Sequence, residues 1–251
     1  MAGHSKWANI KHRKGAQDAK RGQQFTKIAK EIIISAKLGG GDMNTNPRLR
    51  AAIAKGRAGN MPKDNIEKAI KKGTGELEGV NYEEILYEAY GPHGIAIIIE
   101  VLTDKKSRTI PELKNILMKS SGNLAEAGSV SYLFDHLGII LIEGENIVED
   151  ELLEFVIESG ADDFEKDDEN IYVIKTQKEN FHAALTTLTP MFEEKSWKIL
   201  ASELRYVPKN LIELDKDKED KVLKLIDILD DHDDIQNVYS NLEESSEEET
   251  G

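Results

Sequence analysis

The chain has 251 residues, of which 39% are hydrophobic and 32% are charged, and its formal net charge is −14. This balance suits globular domains with solvated faces and excludes a wholly disordered chain. No apolar run reaches the roughly 20 residues that a membrane-spanning helix needs. Cysteine is absent, which excludes disulfides and thiolate metal sites. That absence fits a reducing compartment, so we expect a soluble cytoplasmic protein.

The charge is distributed unevenly along the sequence. Residues 1–73 contain 17 Lys or Arg and 5 Asp or Glu, whereas residues 74–251 contain 16 and 42. The first segment therefore has a net charge of +12 and the second a net charge of −26. Clustered Lys and Arg side chains neutralise phosphates and release their counterions. The sequence thus predicts a basic nucleic-acid-binding module that is joined to an acidic body.

Within the basic module, an arm over residues 3–21 precedes three predicted helices. Apolar residues recur at helical spacing in each of them, and proline or glycine punctuates the ends. The expected bounds are about 22–38 with a stop at Gly39-Gly40-Gly41, Asn46-Pro47 to Gly59, and Pro62 to Gly73. The link from Gly39 to Asn44 is too long and flexible for a helix-turn-helix turn, so sequence-specific groove reading is not expected.

The acidic body alternates strand and helix patterns. Strands are predicted at Tyr82–Tyr90, Ile95–Leu102, Ser129–Phe134, Ile139–Ile142, Asp163–Lys166, Ile171–Lys175, Trp197–Ala201, about 203–214 and Ile235–Asn241. Helices are predicted from the Thr109-x-x-Glu112 capping box, around the inward residues Leu152, Leu153, Val156 and Ile157, from Phe181 to Leu188, and from Asp215 or Asp217 to Leu229. Residues 136–202 follow the β-α-β-β-α-β order of a ferredoxin-like unit.

These patterns predict a multidomain α+β fold, with an N-terminal three-helix domain followed by two ferredoxin-like α/β domains, one inserted in the other. The expected boundaries are 1–80 for the basic helical nucleic-acid-binding domain, 81–135 plus 203–242 for a discontinuous α/β domain, 136–202 for the inserted α/β domain, and 243–251 for a disordered acidic tail.

The candidate nucleic-acid-binding residues are the cations of the basic module with a few polar and aromatic neighbours. They are His4, Ser5, Lys6, Trp7, Lys11, His12, Arg13, Lys14, Lys20, Arg21, Lys27, Arg48, Arg50, Lys55, Arg57, Lys63, Lys71 and Lys72. Lys and Arg would contact phosphates, and protonated His would donate to them. Trp7 either stacks on an unpaired base or packs under the first helix.

No pattern in the sequence indicates a catalytic residue, a metal site or a cofactor. The loops at Gly91–Gly94 and Gly122–Ser129 lack the Lys-Ser/Thr ending of a phosphate cradle and are interpreted as turns. The acidic run over residues 230–234 lacks the spacing of an EF-hand and is interpreted as a solvated helix end and loop. We therefore expect a protein that is not an enzyme.

Several motifs resemble those of the YebC/PmpR family. They are AGHSKWANIKHRK over residues 2–14, Asn60–Ile66, Ala69–Gly75, Tyr87–Pro92, Leu102–Asp104, Ser107–Thr109, Gly128–Val130, Leu225–Asp227 and Val238–Tyr239. The resemblance covers residues 2–242, and its opening motif is highly specific. It implies a three-domain cytoplasmic protein of a family usually described as DNA-binding transcriptional regulators. Some members resemble translation factors that act on the ribosome and relieve stalling at proline-rich stretches.

The leading hypothesis is a non-enzymatic nucleic-acid-binding regulator of gene expression. Its target is either duplex DNA or, for a ribosome-associated translation factor, ribosomal RNA. The acidic α/β domains would contact protein partners or a second copy, and no membrane partner is expected. Two alternatives come from other classes: a metal-dependent nuclease that uses acidic clusters, and an interaction scaffold in which the basic arm only tunes solubility.

Overall fold

The computed structural model describes residues 21–167 and 171–245, which divide into two compact units. The first unit comprises residues 21–131 and 215–240, and the second comprises residues 132–214 with 241–245. In chain order the elements are α1 (Arg21–Gly39), α2 (Pro47–Ala58), α3 (Lys63–Thr74), β1 (Glu83–Tyr90), β2 (Ala96–Thr103), α4 (Lys106–Lys119), β3 (Asn123–Leu124), β4 (Phe134–Glu143), α5 (Glu149–Ser159), β5 (Asp163–Lys166), β6 (Tyr172–Gln177), α6 (Phe181–Lys195), β7 (Lys198–Pro208), β8 (Ile212–Glu213), α7 (Lys216–Asp230), β9 (Ile235–Ser240) and β10 (Leu242–Glu243).

Helices α1, α2 and α3 form a bundle with its own hydrophobic core. Its buried members are Ile28, Ile32, Ile33, Ala36, Leu49, Ala52, Ile53, Met61, Ile66 and Ala69. Burying apolar side chains at helical spacing on three short helices supplies the free energy that none of these helices has alone. The three helices are those that the sequence predicts.

Local capping fixes the start of α2, as the Asn46-Pro47 pattern predicts. The side chain of Asn46 accepts a hydrogen bond from the Leu49 N–H at 3.0 Å. Its amide nitrogen donates to the carbonyls of Ser35 and Gly40, each at 2.8 Å. One buried side chain therefore caps α2 and also binds the end of α1.

The end of α3 differs from the prediction, because Gly73 lies inside the helix and does not stop it. A Cβ at Gly73 would lie 2.4 Å from the Ile33 carbonyl oxygen and 2.6 Å from the Ala36 Cβ. Gly73 thus permits the close approach of α1 and α3. The stop is Gly75, which adopts a left-handed conformation with φ of 83°.

The sheet of the first unit has the strand order β3-β1-β2-β9, and its neighbouring strands are antiparallel. The hairpin β1–β2 lies at the centre. Helices α4 and α7 supply the buried residues Leu113, Leu117, Val222, Leu225, Ile226 and Leu229. Strand β2 is buried along nearly its whole length, as its continuous run of Ile and Val predicts.

One predicted helix of this unit has the wrong start, and one predicted strand is almost wholly absent. Helix α4 begins at Lys106, three residues before Thr109, because the Thr109 hydroxyl bonds to buried partners and does not cap a helix. The strand predicted over Ser129–Phe134 is absent through residue 133, because a 3-10 turn covers Ser131–Leu133 and only Phe134 belongs to a strand, β4. The backbone N–H groups of Val130 and Ser131 point to a carboxylate, so they cannot join a sheet ladder.

The sheet of the second unit has the order β5-β6-β4-β7, and its neighbouring strands are antiparallel. With α5 and α6 this is the ferredoxin-like arrangement that the sequence predicts for this region. This strand order differs from that of the sheet in the first unit. Strands β8 and β10 form a separate parallel pair, which places Glu243 in a strand, and residues 246–251 lie outside the described residues.

Details of the second unit correct the sequence-based prediction. The two strands expected at Trp197–Ala201 and about 203–214 are largely one strand, β7, because β4 pairs with it from Phe134 to Glu143. On α5 only Leu152 and Val156 are buried, whereas Leu153 and Ile157 are 44% and 69% exposed. The helix thus presents a narrower apolar stripe to its sheet than the four residues predict.

The predicted α+β class, with a helical region followed by sheet domains, is confirmed. The domain boundaries expected from the sequence stay a prediction. Within the described part of the chain, no helix has the length and apolarity needed to cross a bilayer.

Candidate nucleic-acid interface

The sequence-predicted binding residues fall into three groups. His4, Ser5, Lys6, Trp7, Lys11, His12, Arg13, Lys14 and Lys20 lie outside the described residues. Arg21 is the first residue of α1. Lys27, Arg48, Arg50, Lys55, Arg57, Lys63, Lys71 and Lys72 are in the bundle, where the structure separates exposed cations from paired ones.

The outer side of the bundle carries exposed cations. On α3, Lys71 and Lys72 are both exposed. Lys71 lies across the helix from the buried Ile66 and Ala69, because it follows them by five and two positions on a helix of 3.6 residues per turn. Lys63 at the start of α3 is 87% exposed, although its Nζ lies 3.5 Å from Glu67. Surface pairs of this kind contribute little free energy, so Lys63 remains accessible to solvent.

Helix α2 has two basic flanks that differ in their surroundings. Arg50 and Arg57, seven residues apart on one flank, are both exposed. Arg48 and Lys55 share the opposite flank, where Lys55 is exposed and Arg48 is half-buried. The spacing alone does not distinguish these two pairs, because each consists of two cations seven residues apart.

Arg48 is bound to two carboxylates of the first unit. Its Nε and one Nη donate to Glu31 at 2.7 and 3.1 Å, and its guanidinium also donates to Glu84. Burial disfavours the charged form, but the hydrogen bonds to Glu84 and Glu31 outweigh it and raise the pKa of Arg48. This cation therefore joins α2 to α1 and β1.

Three side chains of α1 contact the end of α7 and the loop after it. Gln23 donates to the Asp231 carbonyl at 3.1 Å, and Lys27 donates to the Asp230 carbonyl at 2.6 Å. Lys30 donates to the Asp233 carbonyl and to the Asp234 carboxylate, both at 2.8 Å. We call these contacts, together with the Arg48 pairs, the polar seam.

Burial in the polar seam lowers the pKa of Lys27, although Asp230, Asp231 and Asp233 favour its charged form. The charge of nearby Lys55 lowers that pKa further. Lys27 is therefore a half-buried cation whose desolvation is only partly compensated.

Asp234 is the centre of a buried hydrogen-bond network. It is 2% exposed, and besides Lys30 it accepts hydrogen bonds from Arg108 at 2.7 Å, Thr109 at 2.7 Å and Thr103 at 3.0 Å. Burial alone would raise its pKa, but hydrogen bonds from Arg108, Lys30 and Thr109 hold the pKa of Asp234 well below its usual range. The network joins α1, β2, α4 and the α7–β9 loop.

The interpretation of residues 230–234 as a solvated run is therefore wrong for Asp234. Helix α7 does end at Asp230, and Asp231 and Asp233 are exposed. The sequence does not reveal the role of Asp234, because the partners of its side chain lie more than 100 positions away along the chain. A signal was present, since Thr103, Arg108 and Thr109 all belong to the motifs shared with the YebC/PmpR family.

Beside Asp234, His232 continues the network. Its Nδ1 accepts the Asp234 N–H at 3.1 Å, so its Nε2 carries the proton and donates to Glu112 at 3.0 Å. Glu112, His232 and Asp234 are close enough together to suggest a cation site. Because the ring nitrogens are engaged and two cations bind Asp234, this trio is better described as a hydrogen-bonded chain.

The carboxylate of Glu88 binds the backbone at the end of the glycine-bearing loop over Gly122–Ser129. Its carboxylate accepts hydrogen bonds from the N–H groups of Gly128, Val130 and Ser131 at 2.7, 2.6 and 2.9 Å. Burial would raise its pKa, but these backbone donors, led by Val130, lower the pKa of Glu88. The N–H groups that a phosphate would need are thus taken by a residue of β1.

The geometry defines a class of protein in which a basic three-helix bundle is attached by a polar seam to an antiparallel sheet. Residues 5–76 match the family description "TACO1/YebC protein N-terminal domain", and residues 82–242 match "TACO1/YebC second and third domain". The chain belongs to the TACO1/YebC family, which confirms the resemblance seen in its motifs.

Similar proteins cover nearly the whole chain. A Treponema denticola protein named probable transcriptional regulatory protein is 52% identical over 243 residues, 97% of this chain and 96% of that protein. A Geobacter sulfurreducens protein with the same description is 48% identical over 248 residues, 99% of this chain and 98% of that protein. The crystal structure of a conserved hypothetical protein from Aquifex aeolicus matches with a TM-score of 0.78 and 38% identity, over 93% of this chain and 95% of that chain.

Proposed function

We propose that this protein is a non-enzymatic regulator of transcription that binds duplex DNA through the outer side of its three-helix bundle and its basic N-terminal arm. The observation that carries the proposal is the set of exposed cations on α2 and α3. That set is Arg50, Lys55, Arg57, Lys63, Lys68, Lys71 and Lys72. The relatives named probable transcriptional regulatory proteins support regulation of transcription as the role.

The proposed contacts are mainly with phosphates. The cations lie on helix surfaces at several angles, an arrangement that suits a charged backbone better than a row of base edges. Such binding is largely independent of sequence, and it weakens steeply as salt rises because bound counterions are released.

The acidic body would orient the protein on its target. Residues 74–251 have a net charge of −26, so phosphates repel them while they attract the bundle. The same charge leaves the sheets available for protein partners or for a second copy of the chain. We propose no reaction for this surface, and no cofactor is needed for the binding.

The test is a comparison of two triple variants in DNA binding. Arg57→Gln, Lys71→Gln and Lys72→Gln together remove three proposed phosphate contacts. The slope of log Kobs against log salt, which is negative, should therefore become less steep by about 2.7. The control, Lys114→Gln, Lys221→Gln and Lys224→Gln, removes the same charge from exposed positions on α4 and α7. Fluorescence anisotropy with a labelled duplex would measure both slopes, and thermal melts would verify folding.

Equal slopes for the two variants would contradict the proposed surface. A competition experiment addresses the target itself, with promoter DNA, random DNA and purified ribosomes offered at physiological salt. If random DNA competes as well as any promoter and ribosomes displace both, the transcriptional role fails and ribosomal RNA becomes the target.

A further inference from the structure

We propose that the end of α7 masks a second part of the DNA-binding surface, and that DNA competes with it for Lys27 of α1. This inference rests on the proposed function, because it assigns a further binding residue to the same bundle. It makes the polar seam an autoinhibitory contact as well as a structural joint.

The geometry of α1 supports a masked surface. Gln23, Lys27 and Lys30 lie at positions i, i+4 and i+7, so they form one stripe along the helix. Each side chain donates to a carbonyl of residues 230–233, where α7 ends. The last carbonyls of a helix carry partial negative charge and lack helical partners, so they resemble the oxygen atoms of a phosphate row.

The bundle is built in a way that allows the polar seam to open locally at Lys27. Its hydrophobic core consists of residues of the three helices and the loops between them, and the partly buried Tyr82, which follows α3, packs against it. In the described part of the chain, α1 packs extensively on α2 and α3, and the three helices pack sparsely on the sheet elements. Opening the seam at Lys27 therefore exchanges a hydrogen bond within the protein for a contact with a DNA phosphate, and it leaves the bundle core intact.

Nearby charges set the balance between the mask and DNA. The exposed carboxylates of Asp231 and Asp233 favour the charged form of Lys27 and so strengthen the mask. A DNA backbone offers the same kind of oxygen ligand at higher charge density.

The first test is the salt slope of Lys27→Gln on labelled duplex DNA, with Lys71→Gln as the matched exposed control. If DNA recruits Lys27, each variant should lower the slope by about 0.9. An unchanged slope for Lys27→Gln beside a lowered slope for Lys71→Gln would overturn the mask and keep the proposed function. Unchanged slopes for both would count against the proposed function itself.

The second test weakens the mask and leaves Lys27 in place, which matters if Lys27→Gln folds poorly. Asp231→Asn with Asp233→Asn should increase DNA affinity more than Asp217→Asn with Asp220→Asn, which removes equal charge from the exposed start of α7. Equal affinities for these two double variants would show a general charge effect and overturn the mask. Thermal melts of both would establish that each is folded.

Discussion

On the side of the bundle that faces the sheet, Lys27, Lys30 and Arg48 are bound to carbonyls and carboxylates of the same chain. On the outer side, Arg57 and Lys71 are exposed. Both sides belong to one basic segment and have the same residue types. Charge density therefore predicts that the segment binds an anion, but only the fold decides which cations bind inside the protein and which remain for a partner.

The largest loss of stability is expected from a change at Asp234, on the side of the bundle that faces the sheet. Replacing it with Ala removes the carboxylate to which Lys30, Arg108, Thr103 and Thr109 donate hydrogen bonds. Breaking a buried pair in this way costs about 3–5 kcal/mol, because the remaining cation is buried without its counter-charge. Urea unfolding at neutral pH would measure the change in the free energy of unfolding.

The neighbouring Asp233→Ala variant is the control for Asp234→Ala, because its side chain is exposed while its carbonyl remains available to Lys30. Its loss should stay within about 0.5 kcal/mol. Similar losses for the two variants would mean that Asp234 does not anchor the inner side of the bundle.

Much of the fold follows from short-range patterns that are legible in the sequence. Asn46-Pro47 begins α2 because the cap and its helix lie within three residues of each other. The continuous Ile and Val run of β2 is buried on both faces, as its composition predicts. Such elements can be predicted without knowing where distant parts of the chain lie.

The candidate site is less predictable because its pairings are long-range. Thr109 has the spacing of a capping box, yet its hydroxyl bonds to Asp234, 125 positions away. Gly73 has the position of a helix stop, yet it serves the contact between α1 and α3. In both cases a tertiary contact outweighs a local preference, and periodicity cannot reveal the residue that supplies it.

A smaller loss of stability is expected from Arg48→Gln. Its matched control is Arg57→Gln, the same type of substitution on the opposite flank of α2. Arg48→Gln should cost about 1 kcal/mol, since the ion-pair network with Glu31 and Glu84 is partly exposed. Arg57→Gln should leave stability unchanged and lower the salt slope of DNA binding by about 0.9. Urea unfolding and anisotropy titrations on both proteins would test this.

If Arg48→Gln lowers the slope as much as Arg57→Gln, then the two flanks are equivalent for DNA and the division into paired and exposed cations is wrong. If neither variant changes the slope, the outer surface does not contact phosphates.

The smallest expected effect concerns Glu100, a carboxylate near the seam whose hydrogen bonds come from neutral Asn237 and Tyr239 at 2.7 and 3.1 Å. Burial, with the charges of Glu31 and Glu84, raises its pKa despite those bonds. The folded state therefore binds this proton more tightly than the unfolded state. Glu100 opposes folding above its folded pKa, and that penalty fades as the pH falls through that pKa.

Glu100→Gln should accordingly stabilise the protein at neutral pH, because a glutamine oxygen can accept both hydrogen bonds without a charge. The advantage over the wild type should shrink as the pH falls through the folded pKa of Glu100. Urea unfolding of both proteins from pH 7 downwards would measure it, with the exposed Glu126→Gln as control. A variant less stable than the wild type at neutral pH would show that the Glu100 charge is compensated, as it is at Asp234, and would remove the contrast between the two carboxylates.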